Sequence, residues 1–176
     1  LYKHKVDADG NPTRHKSRLV ANGKSQEAGL DYDETFSPVV KPVTIRSVLH
    51  LALQRDWAVH QLDVKNAFLH GRLDKPVYMH QPPGMIDKSQ PHHVCKLEKA
   101  LYGLKQAPRA WNARVETGLY EFVTKLGFNK SNSDHSLFVY NKGNDQAFIL
   151  LYVDDILLTA STPALRHTVT NLLKAE

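Results

Sequence analysis

The chain has 176 residues and a formal net charge of +5, enough for one domain with a real hydrophobic core. The basic balance suits a polyanionic partner without singling one out. One cysteine excludes an internal disulfide framework, no apolar run reaches transmembrane length, and no signal peptide, internal repeat or low-complexity tract is present.

Residues 2–6 and 14–21 read as a hairpin, with Asp7-Ala8-Asp9-Gly10-Asn11-Pro12 supplying the turn chemistry. Residues 23–42 form an irregular stretch with scattered aromatics. Residues 44–55 read as a helix entered at Pro42, with Ile45, Val48, Leu49 and Ala52 on one face. A short strand over 59–63 follows, then another over 77–81, stopped by Pro82-Pro83-Gly84. The spacing of Trp111, Val115, Leu119, Phe122 and Leu126 predicts one long helix over 109–125, ended by Gly127. Strands over 137–140 and 147–152 flank a polar turn, and a last helix starts with Thr162 as N-cap and Pro163 at its first position. The expected class is α+β, with helices packed on one face of a mainly antiparallel sheet.

The most informative residues are Tyr152-Val153-Asp154-Asp155. Apolar runs flank them, Phe148-Ile149-Leu150-Leu151 before and Ile156-Leu157-Leu158-Thr159-Ala160 after, so the acidic pair belongs at the tip of a hairpin. Adjacent carboxylates beside apolar strands repel and resist ionisation. A divalent cation such as Mg²⁺ relieves that cost, because it takes one or two carboxylates plus substrate phosphates. A plain Asp-Asp turn in water is the alternative. A second strand, Val59-His60-Gln61-Leu62-Asp63, also ends in an acid, either a turn cap or a second contributor to a two-metal site.

Other clusters say less. His92-His93-Val94-Cys95 lacks the second ligand pair that zinc needs. Asp31, Asp33 and Glu34 read as a solvated acidic face. Lys16 and Arg18, spaced i to i+2, share a strand face and suit either a phosphate or a basic edge strand in water, with Lys5 on the partner strand. The chain has no initiator Met, opens in a strand-like segment and closes in a helix-like one, which leads us to expect a piece of a longer polyprotein.

Six blocks taken together carry a resemblance. They are Lys16-Ser17-Arg18-Leu19-Val20-Ala21-Asn22-Gly23, Gly29-Leu30-Asp31-Tyr32-Asp33-Glu34-Thr35-Phe36-Ser37-Pro38-Val39, Gln61-Leu62-Asp63-Val64-Lys65-Asn66-Ala67-Phe68-Leu69-His70-Gly71, Tyr78-Met79-His80-Gln81-Pro82-Pro83-Gly84, Leu101-Tyr102-Gly103-Leu104-Lys105-Gln106-Ala107-Pro108-Arg109-Ala110-Trp111, and Tyr152-Val153-Asp154-Asp155. In that order, over nearly the whole chain, the sequence resembles the reverse transcriptases of Ty1/copia-type LTR retrotransposons.

The resemblance implies the fingers and palm of a right-hand polymerase, with residues 1–176 forming one partial reverse transcriptase domain that lacks a thumb and an RNase H domain. It implies RNA-directed DNA polymerisation, in which a primer 3′-hydroxyl attacks the α-phosphate of a dNTP. Asp63, Asp154 and Asp155 would be the catalytic acids. With the Val64 carbonyl they would hold two Mg²⁺ ions, Mn²⁺ being a substitute. Lys16, Arg18, Phe68, Tyr102 and Gly103 would bind the dNTP, Phe68 excluding a 2′-hydroxyl; the alternative for Phe68 is a core aromatic next to Leu69. Tyr102 stands where many retroviral enzymes carry glutamine. Tyr152, Lys105, Pro108 and Arg109 would meet primer or template. The implied partners are an RNA or DNA template with its primer, dNTPs, and the thumb, RNase H and integrase of the polyprotein, with no membrane. The implied location is a cytoplasmic virus-like particle or the nucleus. A catalytically inactive nucleic-acid-binding remnant and a metal-dependent phosphohydrolase are the rival readings, although all three carboxylates are intact.

Overall fold

In the computed structural model the described residues are 2–175, with the side chains of Tyr2, Lys16, Glu116 and Ala175 outside that description. The elements in chain order are β1 (Tyr2–Val6), β2 (Pro12–Ser17), α1 (Pro42–Gln54), β3 (Val59–Asp63), β4 (Arg72–His80), β5 (Val94–Lys99), α2 (Ala107–Thr117), α3 (Leu119–Lys125), β6 (Asn129–Lys130), β7 (Leu137–Lys142), β8 (Asp145–Tyr152), β9 (Asp155–Ala160) and α4 (Pro163–Ala175), with short 3-10 turns at Gly23–Ser25 and Ala67–His70. The class is α+β. Every strand pairing is antiparallel, in a five-stranded sheet of order β3-β9-β8-β7-β6 and two separate ribbons, β1-β2 and β4-β5.

The expectation of helices on one face is corrected. Val123 of α3 and Val169 of α4 pack on Ala147, Ile149, Ile156, Leu158 and Ala160. Val48 and Ile45 of α1 pack on Leu150, Phe148 and Leu157, which point the other way. The large sheet is therefore covered on both faces. The reason lies in β8, whose Phe148-Ile149-Leu150-Leu151 is a continuous apolar run rather than an alternating one, and such a strand must bury both sides.

The boundaries of α1, β7 and β8 shift by one or two residues, and three larger differences have a structural reason. The second strand of the N-terminal hairpin ends at Ser17, not 21, so Arg18 lies beyond it. Past the Tyr2–Ser17 pair the chain leaves the ribbon, and the Ala21 N–H bonds to the Tyr102 carbonyl at 2.8 Å. The strand expected over 77–81 begins at Arg72. Its ladder with β5 is irregular between Arg72 and Val77, where Pro76 has no N–H to give. The helix expected over 109–125 is two helices meeting at Gly118, whose φ −93 and ψ −65 depart from the helical norm. The break brings Val123 into the core with no exposure. Gly127 does end α3, at φ +93. Thr162 caps α4, its hydroxyl accepting the Leu165 N–H at 3.2 Å.

Helix α1 is capped from far along the chain. The Asp134 carboxylate accepts the Lys41 N–H at 2.8 Å and the Thr44 hydroxyl at 2.7 Å through one oxygen, and the Ser136 N–H at 3.0 Å through the other. This locks α1 to the start of β7. Burial works to raise the Asp134 pKa, but the bonds from Thr44, Lys41 and Ser136 and the Lys41 charge outweigh it and hold the carboxyl below its ordinary 3.8. A depressed carboxylate stabilises the fold fully above its unfolded value and loses that contribution as pH falls through its folded value, here below 3.8. We expect Asp134→Ala to cost about 2–3 kcal/mol of unfolding free energy at pH 7. In urea titrations the gap between the variant and its parent should narrow at about pH 3. An equal gap at both pH values would remove the capping role.

Candidate active site

The β8–β9 hairpin closes with Tyr152 paired to Asp155, leaving Val153 and Asp154 as a two-residue loop. Val153 has φ +55, an uncommon conformation for a β-branched residue. Two outside donors hold the loop. The Trp111 indole N–H bonds to the Val153 carbonyl at 2.5 Å, and the Val64 N–H bonds to the Asp154 carbonyl at 2.8 Å. Strand β3 runs alongside β9 with Asp63 directly opposite Asp155, so the two side chains leave the same face of the sheet. Gln61, two residues earlier on that face, donates its amide to Asp155 Oδ1 at 2.9 Å. Asp63 is exposed, and Asp154 and Asp155 are half-buried.

Among the described residues no group of three or more His, Cys, Asp or Glu side chains is arranged to hold a metal ion. Neither His92-His93-Cys95 nor Asp31-Asp33-Glu34 makes such a group. Asp63 and Asp155 side by side, with Asp154 on the adjoining turn, are hard oxygen donors at an open strand end. Such donors would suit a hard cation that keeps several waters and takes phosphate oxygens, rather than one held in a closed all-protein cage.

A second group of side chains surrounds Tyr102. Phe68, half-buried on the 3-10 turn that follows left-handed Asn66, meets the Tyr102 ring edge-on with centroids 4.9 Å apart. The Arg18 guanidinium lies 5.7 Å from the same ring centre, in cation–π range. The two chain segments approach through small residues. A Cβ on Gly103, at φ +95, would stand 2.2 Å from the Ala21 carbonyl oxygen, and one on Gly23 would collide with the Gly103 carbonyl. The close approach that Gly103 permits is thus to the chain's own residue Ala21. Buried Gln26 and Gln106 bridge the same segments, Gln26 donating to Gln106 Oε1 at 2.9 Å and accepting the Lys105 N–H at 2.8 Å.

The basic residues have protein partners. The Lys105 ammonium bonds the Gln26 carbonyl at 3.0 Å and lies 5.0 Å from the Tyr32 ring centre. Arg109 pairs with Glu34 at 2.7 Å, and Lys75 with Asp33 at 2.7 Å, so the acidic face is partly neutralised. Arg109, Glu34, Lys75 and Asp33 line a cleft between residues 31–38, β4 and α2 that none of the three site acids reaches. Pro108 sits in the first turn of α2, its carbonyl accepting the Ser37 hydroxyl at 3.3 Å. Tyr152 is exposed beside the acids. The Lys16 side chain lies outside the described residues. Sequence reasoning overlooked Gln61 and Trp111. The period-2 spacing from Asp63 marks Gln61 as a same-face neighbour, whereas nothing local announces that an indole will reach the hairpin.

The family model described as reverse transcriptase (RNA-dependent DNA polymerase) matches residues 1–176. The chain belongs to this reverse transcriptase family. It is 53% identical over 173 residues to the retrovirus-related Pol polyprotein from transposon RE1 of Arabidopsis thaliana, covering 98% of the chain and 12% of that protein. It is 44% identical over 167 residues to the Pol polyprotein from transposon TNT 1-94 of Nicotiana tabacum, covering 94% and 12%. The Ty1-DR5 Gag-Pol polyprotein of Saccharomyces cerevisiae is 31% identical over 146 residues, covering 82% and 8%. The chain thus spans about an eighth of the plant relatives it matches. No solved structure matches it. The copia-type resemblance read from the sequence is borne out, and among the described residues no helix is long and apolar enough to cross a membrane.

The contact of Gly23 with Gly103 yields a test. Gly23→Ala should lower stability by about 2 kcal/mol through overpacking against backbone that cannot yield. Gly118→Ala, whose added carbon meets the movable end of Arg114 first, should change stability by less than about 1 kcal/mol. Urea midpoints compare the two, and equal shifts would show that the 20–23 segment does not rest on Gly103.

Proposed function

We propose that this chain is the fingers and palm of an RNA-directed DNA polymerase that extends a primer 3′-hydroxyl with dNTPs. The observation that carries this reading is the β3–β9 register, which sets Asp63 opposite Asp155 while Val64 holds the adjoining Asp154. Acids from two distant segments are brought to one edge, as phosphoryl transfer by positioning and charge neutralisation needs. Asp63 and Asp154, with Asp155 and the Val64 carbonyl, would hold two divalent ions, Mg²⁺ or Mn²⁺. Such ions, when bound, stabilise charge on the attacking and leaving oxygens.

The chain's own side chains do the rest. Arg18, over Tyr102, meets the triphosphate with Lys16, since a guanidinium grips phosphate oxygens in pairs. Phe68, braced by Tyr102, closes the space where a ribose 2′-hydroxyl would lie. Gly103 and Pro108 shape the floor of this pocket, and Tyr152, Lys105 and Arg109 lie toward primer and template. Lys105 and Arg109 would exchange their contacts with Gln26 and Glu34 for phosphates. The wider partners, a thumb, RNase H and integrase in one polyprotein within a virus-like particle, belong to the same proposal.

Single-nucleotide incorporation on a primed homopolymer RNA, by the chain and by a version extended through a thumb, tests the reading. Asp63→Ala or Asp154→Ala should lower the rate more than about a hundredfold, the equivalent of about 3 kcal/mol of transition-state stabilisation, with the fold retained. Near-normal incorporation by either variant would remove these acids from catalysis. Binding of primer-template without incorporation by the parent would support a non-catalytic remnant instead.

Phe68→Val provides a separate check, because exclusion by shape is lost when the ring is removed. The ratio of dNTP to rNTP efficiency should fall at least about tenfold, the equivalent of about 1.4 kcal/mol of lost discrimination. An unchanged ratio would leave Phe68 as a packing residue of the cluster formed by Ala21, Val77, Ala100, Leu104 and Ala107.

A further inference from the structure

The tip of the β8–β9 hairpin is held in a conformation its own residues do not favour. Val153 sits at φ +55 with a branched side chain, and such a residue stays there only where the surroundings impose it. The loop has two external main-chain anchors. One, the Val64 N–H on the Asp154 carbonyl, comes from the residue next to Asp63. The other is the Trp111 indole on the Val153 carbonyl at 2.5 Å. Trp111 stands on α2, 42 residues away in sequence, with its ring 6.2 Å from that of His70. An indole N–H only donates, so its one polar function is committed to this turn.

We propose that Trp111 is a positioning residue, its N–H holding the Val153–Asp154 peptide in place and thereby setting where Asp154 stands relative to Asp63. Without that bond the turn keeps only the hairpin register and the Val64 N–H to hold a strained Val153, and the peptide on which Asp154 sits can shift. The Val64–Asp154 bond then loosens, and the acids lose their common placement. Small misplacements of reacting groups have large rate effects. The proposal rests on the polymerase reading for its consequence, but the turn itself can be examined without catalysis.

A purely space-filling Trp111 makes the opposite prediction, that shape matters and the N–H does not. Replacing Trp111 with benzothienylalanine keeps the ring shape and deletes the N–H. Amide hydrogen exchange at Val64 reports the turn directly. It should quicken about tenfold in the isostere, with the melting midpoint nearly unchanged. Turnover in single-nucleotide incorporation should fall about tenfold, with the KM for dNTP within about twofold of the parent. In a Val153→Gly background, where positive φ costs nothing, removing the N–H should change both readouts by less than about twofold. Unchanged exchange at Val64 in the isostere, or equal losses in both backgrounds, would overturn the proposal. If the parent protein incorporates no nucleotide, the polymerase reading fails and the exchange data alone decide the role of Trp111.

Discussion

The antiparallel ladder between β3 and β9 pairs Val59 with Thr159 at one end and Asp63 with Asp155 at the other. Its register is fixed by burial. Leu62, Ile156 and Leu158 face the α3–α4 side, and Leu157 faces α1. A slip of one residue would turn each of these into the wrong layer, so the hydrophobic cost of slipping protects the alignment of the acids. Gln61 and Asp155, 94 residues apart in sequence, meet only because this ladder is in register. The alignment of the acids depends on core packing that contains no acid.

Around that ladder the molecule is built in layers. Leu150 and Ile149, neighbours on β8 with no exposure, serve opposite faces of the sheet. Because α1 closes one face and α3 with α4 the other, the β8–β9 hairpin is packed on both sides up to its turn. There the carboxylates meet water. Asp63 is exposed there, while Asp154 and Asp155 are half-buried.

The second organising contact is between backbones. Gly23 and Gly103 let residues 20–23 lie against residues 102–104, and the Ala21–Tyr102 hydrogen bond locks the approach. This is what brings Arg18 over Tyr102 and sets Phe68 against it, although Arg18 has already left its strand. The geometry accounts for which residue touches which.

Much of this was legible in the residues. The apolar runs flanking Tyr152-Asp155 dictated a hairpin, because two buried strands separated by two residues have no other short connection. Val59–Asp63 was read with its observed bounds, and Thr162-Pro163 carried its own start signal. Where local signals misled, a longer-range force had decided. Helical periodicity across residues 109–125 could not reveal the break at Gly118, which places Val123 in the core. β propensity past Ser17 gave way to the pull of Tyr102. Helices on both faces were implied by β8 but assigned to one, since a sequence shows how much a strand must bury and not what will cover it. The sequence by itself determined the family, the strand-end acids and the hairpin, because these follow from residue types at short spacing. Only the tertiary structure decided that Asp63 faces Asp155, that Gln61 bonds Asp155 and that Trp111 holds Val153, because such pairs are chosen by packing among segments far apart in the chain.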